Sequence, residues 1–163
     1  MPVIKLITEI HAPIALVFDL SRSVDLHKLS TARSDERVVA GRSSGLVEAG
    51  DTITWRARHL GIYQNLTSHI TEVVPTSRFT DRMERGAFKR FTHTHLFESD
   101  GVNTLMRDEF DYTSPFGILG VLADKLFLEK YMAGFLAERN SMIKQVAESD
   151  QWKQIPGMKS SYP

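Results

Sequence analysis

The stretch Phe116–Glu148, FGILGVLADKLFLEKYMAGFLAERNSMIKQVAE, decides the fold. Leu119, Leu122, Leu126, Ala133, Leu136 and Ile143 recur in steps of three, four or seven. Phe127, Tyr131, Phe135 and Met142 widen the stripe. This period predicts one long helix with a broad apolar face. Gly117, Gly120 and Gly134 lower its propensity and permit close approach or a bend.

Upstream of that helix the period is two. Val3 to His11 alternates and reads as a strand. Ala12-Pro13 opens a short helix with Leu16, Val17 and Leu20 as its stripe, and Ser23 can cap a second one ending at Leu29. Six strands then follow: Arg37–Ala40, Asp51–Leu60, Tyr63–Val74, Arg78–Arg85, Phe88–Glu98 and Val102–Thr113. Gly50-Asp51, Gly61, Pro75, Gly86 and Ser99-Asp100-Gly101 punctuate them. A sheet of that length must curl, and only the long helix can cover its concave face. The class is α+β, and a space between sheet and helix is the default ligand site. The polar tail from Gln151 reads as a poorly ordered end, so the expected division is one domain over 1–150 and a tail over 151–163.

With 163 residues, 42% hydrophobic and 25% charged, the chain has an ordinary globular composition. Lys plus Arg and Asp plus Glu are 20 each, so no global basic field supports a nucleic-acid partner. Cysteine is absent, which excludes disulfides, thiolate metal sites and a cysteine nucleophile. No apolar run is long enough to span a bilayer, and MPVIKLITEI lacks a signal-peptide pattern. A cytoplasmic location is expected.

The element order, together with specific motifs, resembles the helix-grip fold of the START/Bet v1-like superfamily, also called SRPBCC or polyketide cyclase-like. The motifs are Gly50-Asp51 before Trp55, Ile70-Thr71-Glu72, Phe79-Thr80-Asp81, Gly86-Ala87-Phe88, Phe91-Thr92-His93-Thr94-His95-Leu96-Phe97, Thr104-Leu105-Met106-Arg107-Asp108 and Pro115-Phe116-Gly117. They are similar to those of a bacterial SRPBCC ligand-binding or "cell division inhibitor"-like subgroup. Ala87 stands where that pattern has Pro, and Phe91 where it has Trp. The resemblance covers about residues 2–148 and implies a small-molecule cavity. It leaves activity open, because the superfamily includes lipid carriers, hormone receptors and aromatase/cyclases.

Strand parity then sorts the side chains. Ile53, Trp55, Ala57 and His59 share the inner face of their strand, as do Phe79, Asp81 and Met83, then Phe91, His93, His95 and Phe97, then Thr104, Met106, Asp108, Phe110 and Tyr112. The expected ligand-binding set is Trp55, His59, Phe79, Asp81, Met83, Phe91, His93, His95, Met106, Asp108 and Phe110, with Leu122 and Leu126 from the helix. The expected mouth lies near the second short helix, the Ser43–Gly45 loop and Phe116. His11 and His27 are expected to be exposed and His69 to face outward.

Three consecutive strands bring Asp81, His93, His95 and Asp108 together. These four are a self-satisfied polar network, the group that orients a ligand's polar end, or a general acid–base set. Metal binding needs three or four converging ligands, and His-x-His supplies two. No metal and no cofactor are expected. The expected function is binding of a hydrophobic small molecule such as a lipid or aromatic polyketide. The alternatives are a cyclase/dehydratase-like enzyme that uses the His/Asp cluster, and a regulatory protein that acts through a protein partner. Monomer and homodimer both stay open.

Overall fold

The computed structural model describes residues 2–31 and 34–162. Its order is β1 (Val3–Ile10), α1 (Ile14–Ser21), α2 (Val24–Ser30), β2 (Arg37–Gly41), β3 (Thr52–His59), β4 (Ile62–Val74), β5 (Arg78–Arg85), β6 (Arg90–Ser99), β7 (Thr104–Thr113), α3 (Ile118–Ala123), a π turn (Asp124–Leu128) and α4 (Glu129–Ala147). Among the described residues, seven strands form one antiparallel sheet in the order β1-β7-β6-β5-β4-β3-β2. The expected α+β helix-grip architecture is therefore the observed one.

Local chemistry fixes the connections. The β3–β4 hairpin closes on Leu60-Gly61, both at positive φ, which suits the twist of the flanking strands. The β6–β7 turn is held by the Asp100 carboxylate, which accepts from the backbone N–H of Val102 (2.9 Å) and Asn103 (2.7 Å). Ser23 Oγ caps α2 by accepting from Leu26 N at 3.1 Å. Register shifts interrupt β4 against β5 at Thr67/Ser68 and Ile70/Glu72, and bulges of this kind bend a strand.

The long C-terminal helix is continuous from Ile118 to Ala147 but not uniform. The π turn adds one residue to a turn, which rotates everything before it by about 100°. The inward face changes accordingly. Leu136 and Ile143 are buried as the stripe predicts, whereas Leu122 and Leu126 are 54% and 71% exposed. The strict helical period carried those two residues inward only because the extra residue has no signature in spacing.

The buried side chains among the described residues form three clusters. One joins α1 and the C-terminal half of α4 through Phe18, Leu20, Phe97, Met106 and Ile143. A second holds Ile4, Phe91, Phe110, Tyr112 and Leu136. The third, around Val24, Ile53, Trp55 and Ile70, lies toward α2 and β3. The tail is not a loose end. A 3-10 turn (Asp150–Gln154) leads to Ile155, which is buried in the first cluster beside Trp152 and Tyr162. Tyr162 Oη donates to Asp19 Oδ2 at 3.0 Å, tying the chain end to α1.

Candidate functional site

Between sheet and helix lies a cavity of about 520 Å³. Its walls draw on all three clusters, with Trp55, Ile70, Phe79, Phe91, Phe110 and Leu136 as the apolar body. The core is thus divided by a space instead of filled, which is uncommon in a close-packed interior. Leu60, Pro115, Phe116, Leu119 and Phe127 stand at the rim. Phe116 and Leu119 are largely exposed there, so the mouth is apolar.

The polar floor is built by register. Asp81 on β5 is directly opposite His93 on β6, and His95 on β6 is opposite Asp108 on β7. The two imidazoles, two residues apart, share one face with ring centroids 3.9 Å apart. Asp108 Oδ1 meets His93 Nε2 at 3.0 Å and His95 Nδ1 at 2.7 Å. The first is a well-directed hydrogen bond; the second is closer, but the ring N–H lies off the line. Asn140 Nδ2 donates to Asp108 Oδ2 at 2.6 Å. On the cavity side, Asp81 Oδ1 lies 3.9 Å from His93 Nδ1 and 3.6 Å from His95 Nε2. Phe79 stacks on the His95 ring at 4.1 Å.

Electrostatics follow from this crowding. Burial alone raises the Asp108 carboxyl, but the two histidines outweigh it and hold the group well below the usual carboxylate range. The same contest lowers Asp81, where His95, His93 and Arg139 prevail over burial. Burial and the neighbouring His95 lower His93, against the pull of Asp108 and Asp81. Arg139 is buried and its guanidinium is lowered by desolvation. Its Nη2 donates to Ser21 O at 2.8 Å, while Nη1 has no protein partner among the described residues.

Most of the expected set lines the cavity: Trp55, His59, Phe79, Asp81, Phe91, His93, His95 and Phe110. Five do not. Asp108 is 1% exposed and sits behind the histidines, screened by them from the cavity. Met106 is fully buried against α1, with Ser21 Oγ donating to its sulfur at 3.3 Å. Met83 packs beside the Phe91 cluster. Leu122 and Leu126 face outward, for the reason given above. The Ser43–Gly45 loop folds against α2 through Asp25 and is not part of the wall.

Sequence reasoning missed several lining residues. Arg139 lies on the inward face of α4 between Leu136 and Ile143, and a cation within an apolar stripe was the available signal. His27 is not exposed: its ring packs on Trp55 at 4.3 Å and its Nε2 lies 3.3 Å from Glu36 Oε2. Glu36 comes from the segment before β2 and carries no pattern that would reveal it. His59 Nδ1 pairs with Tyr131 Oη at 2.9 Å near the rim, and burial holds this imidazole below its ordinary pKa. His11 is exposed as expected. His69, on the outer face, lies 3.9 Å from Glu84.

Asp81, His93 and His95 offer a carboxylate oxygen and two ring nitrogens within 4.8 Å of one another, the composition of a transition-metal site. Among the described residues, no helix is long and apolar enough to cross a membrane.

No protein-family model and no curated protein matches the chain. Solved structures do. TTHA0849 from Thermus thermophilus aligns with a TM-score of 0.71 at 23% identity, covering 91% of this chain and 100% of that one. A START superfamily protein from Mycobacterium smegmatis aligns at 0.68 and 11% identity, over 88% and 98%. The major latex-like protein 151 of Panax ginseng aligns at 0.65 and 13% identity, over 90% and 99%. At these identities the likeness shows the fold, which is START/Bet v1-like.

Proposed function

We propose that this chain binds a hydrophobic small molecule, a lipid, aromatic polyketide or compound of similar shape, between the curled sheet and α4. The observation that carries the reading is the cavity of about 520 Å³, apolar along its walls and polar at its floor. Its volume suits a ligand of the size that such clefts bury. Asp81, His93, His95 and the unpartnered Nη1 of Arg139 offer hydrogen bonds to a polar end group. The exposed apolar rim at Phe116 and Leu119 gives such a molecule an entry that avoids stripping it across charged groups. The lack of cysteine agrees with a reducing, cytoplasmic setting.

Native mass spectrometry of the protein as purified tests this reading. A co-purified adduct, lost on extraction with organic solvent and restored by add-back, is expected. A single apo mass at every preparation, with no added apolar compound retained, contradicts it.

A second reading is supported by one contact, the 2.7 Å approach of His95 to Asp108. A carboxylate that orients an imidazole whose other nitrogen faces a cavity is an acid–base arrangement, as a cyclase or dehydratase would need. Retained ligand affinity with lost turnover in His95→Gln separates it from binding alone.

A further inference from the structure

We propose that Asp81, His93 and His95 bind one divalent transition-metal ion at the cavity floor, and that Asp108 is the carboxylate behind them that sets both imidazoles in ligating orientation. This rests on the geometry of the four residues and not on the identity or existence of an organic ligand, so either proposal can fail alone.

Asp108 Oδ1 faces His93 Nε2 and His95 Nδ1, the placement of a carboxylate that takes the ring protons of metal-ligating histidines. The nitrogens left over, His93 Nδ1 and His95 Nε2, present lone pairs, and both point toward Asp81 Oδ1. In that tautomer three acceptors converge, and either a proton on one ring or a metal ion fills the space between them. Lone pairs aimed at one another in a buried site are unfavourable unless a cation lies between them. The separations of 3.9 and 3.6 Å are too long for direct hydrogen bonds. They are slightly wider than the roughly 3.0–3.4 Å that separates adjacent donors around an ion with bonds of about 2.1 Å. The three donor atoms lie within 4.8 Å of one another, so closing on an ion draws in the imidazoles as well as Asp81, which is 17% exposed into the cavity.

Asp81 and Asp108 carry two negative charges against the single guanidinium of Arg139, which acts on both from α4. A divalent ion would add positive charge beside the two carboxylates, and a coordination position open to the cavity would accept water, hydroxide or an oxygen of a bound molecule. The ligand chemistry narrows the ion. Two imidazoles and one carboxylate suit zinc, iron(II), cobalt or nickel better than calcium or magnesium, which prefer all-oxygen shells.

The arrangement also has the support that ligating histidines need. Asp108 is anchored by Asn140 at 2.6 Å and is almost wholly buried, so it cannot turn away. The His95 ring is clamped against Phe79.

The test uses chelator-treated full-length protein titrated with cobalt(II) and, by calorimetry, with zinc(II). One equivalent is expected to bind, with cobalt ligand-field bands in the visible. His95→Gln and Asp81→Ala should abolish those bands, and Asp108→Asn should weaken binding about 10–100-fold at unchanged stoichiometry. His11→Ala and His69→Ala should leave it intact. Binding of an apolar fluorescent dye by each variant reports that the cavity persists. Should the site variants not fold, proton NMR of cobalt-loaded wild type decides: two strongly shifted exchangeable imidazole N–H signals are expected. Absence of bands and heat in the wild type overturns the proposal. So do bands that survive His95→Gln, or shifted spectra without two histidine signals.

Discussion

His95 Nδ1 lies 2.7 Å from Asp108 Oδ1 at directly opposed positions of β6 and β7, and each side chain is at most 2% exposed. The same carboxylate takes His93 Nε2 and the Asn140 amide, so one buried anion joins two strands to the long helix. Removing one partner of such a group leaves the others unpaired in a dry place. Asp108→Ala should lower stability by about 3 kcal/mol or more. Asn140→Ala removes one bond and should cost about 1–2 kcal/mol. Urea midpoints at unchanged slope check both, and equal small effects would show the network to be peripheral.

The chain end should matter to stability. Ile155 is buried beside Trp152, and Tyr162 reaches Asp19. Ile155→Ala should cost about 2 kcal/mol, as large-to-small changes in cores do. A thermal melt that matches wild type would return the tail to the status of a loose end.

Two glycines of the long helix should respond oppositely. A Cβ at Gly120 would lie 2.1 Å from Pro115 O, whereas one at Gly134 meets nothing within 4 Å. Gly134→Ala should therefore gain up to about 1 kcal/mol from helix propensity. Gly120→Ala should lose stability despite the same propensity gain, because the obstacle is backbone. Thermal midpoints that move in the same direction would contradict this packing of α3.

Glu36 should make the fold acid-sensitive. Its carboxyl is lowered: burial alone would raise it, but His27, Thr31 and His59 outweigh burial, and Arg139 also faces it. A carboxylate lowered on folding adds stability above its unfolded pKa, near the ordinary value of 4.5, and loses it as pH falls through the folded value. Glu36→Gln should thus be less stable than wild type at neutral pH, and the gap should narrow below that ordinary value. Urea titrations at several pH values read the gap directly; a constant gap would mean that the group's charge is immaterial.

The architecture was legible because two periods dominate the chain. Alternation in β3 and in β5–β7 marked those strands and their inner faces, and it put Asp81, His93 and His95 on one face of neighbouring strands. Parity cannot say how deep a residue on the inner face lies. Asp108 and Met106 share that face with Phe110, yet α1 and α4 cover them, so they are core and not wall. Helical spacing likewise misplaced Leu122 and Leu126, since a π turn changes phase without changing composition. The packed tail escaped notice because its anchors, Trp152, Ile155 and Tyr162, are too few and too irregular to form a period. Glu36 and His27 meet only through tertiary contact.

The proposed guest of the space between sheet and helix is an apolar molecule. Ala57 lies on the inner face of β3, in the cavity wall, and Ala57→Phe would fill that space without touching the polar floor. The deciding measurement is the fluorescence titration of wild type and Ala57→Phe with 1-aminoanthracene. Saturable one-site binding by wild type, weakened at least about tenfold in a variant that melts no lower, is the predicted result. Binding that is absent in wild type, or unchanged in the filled variant, would contradict it.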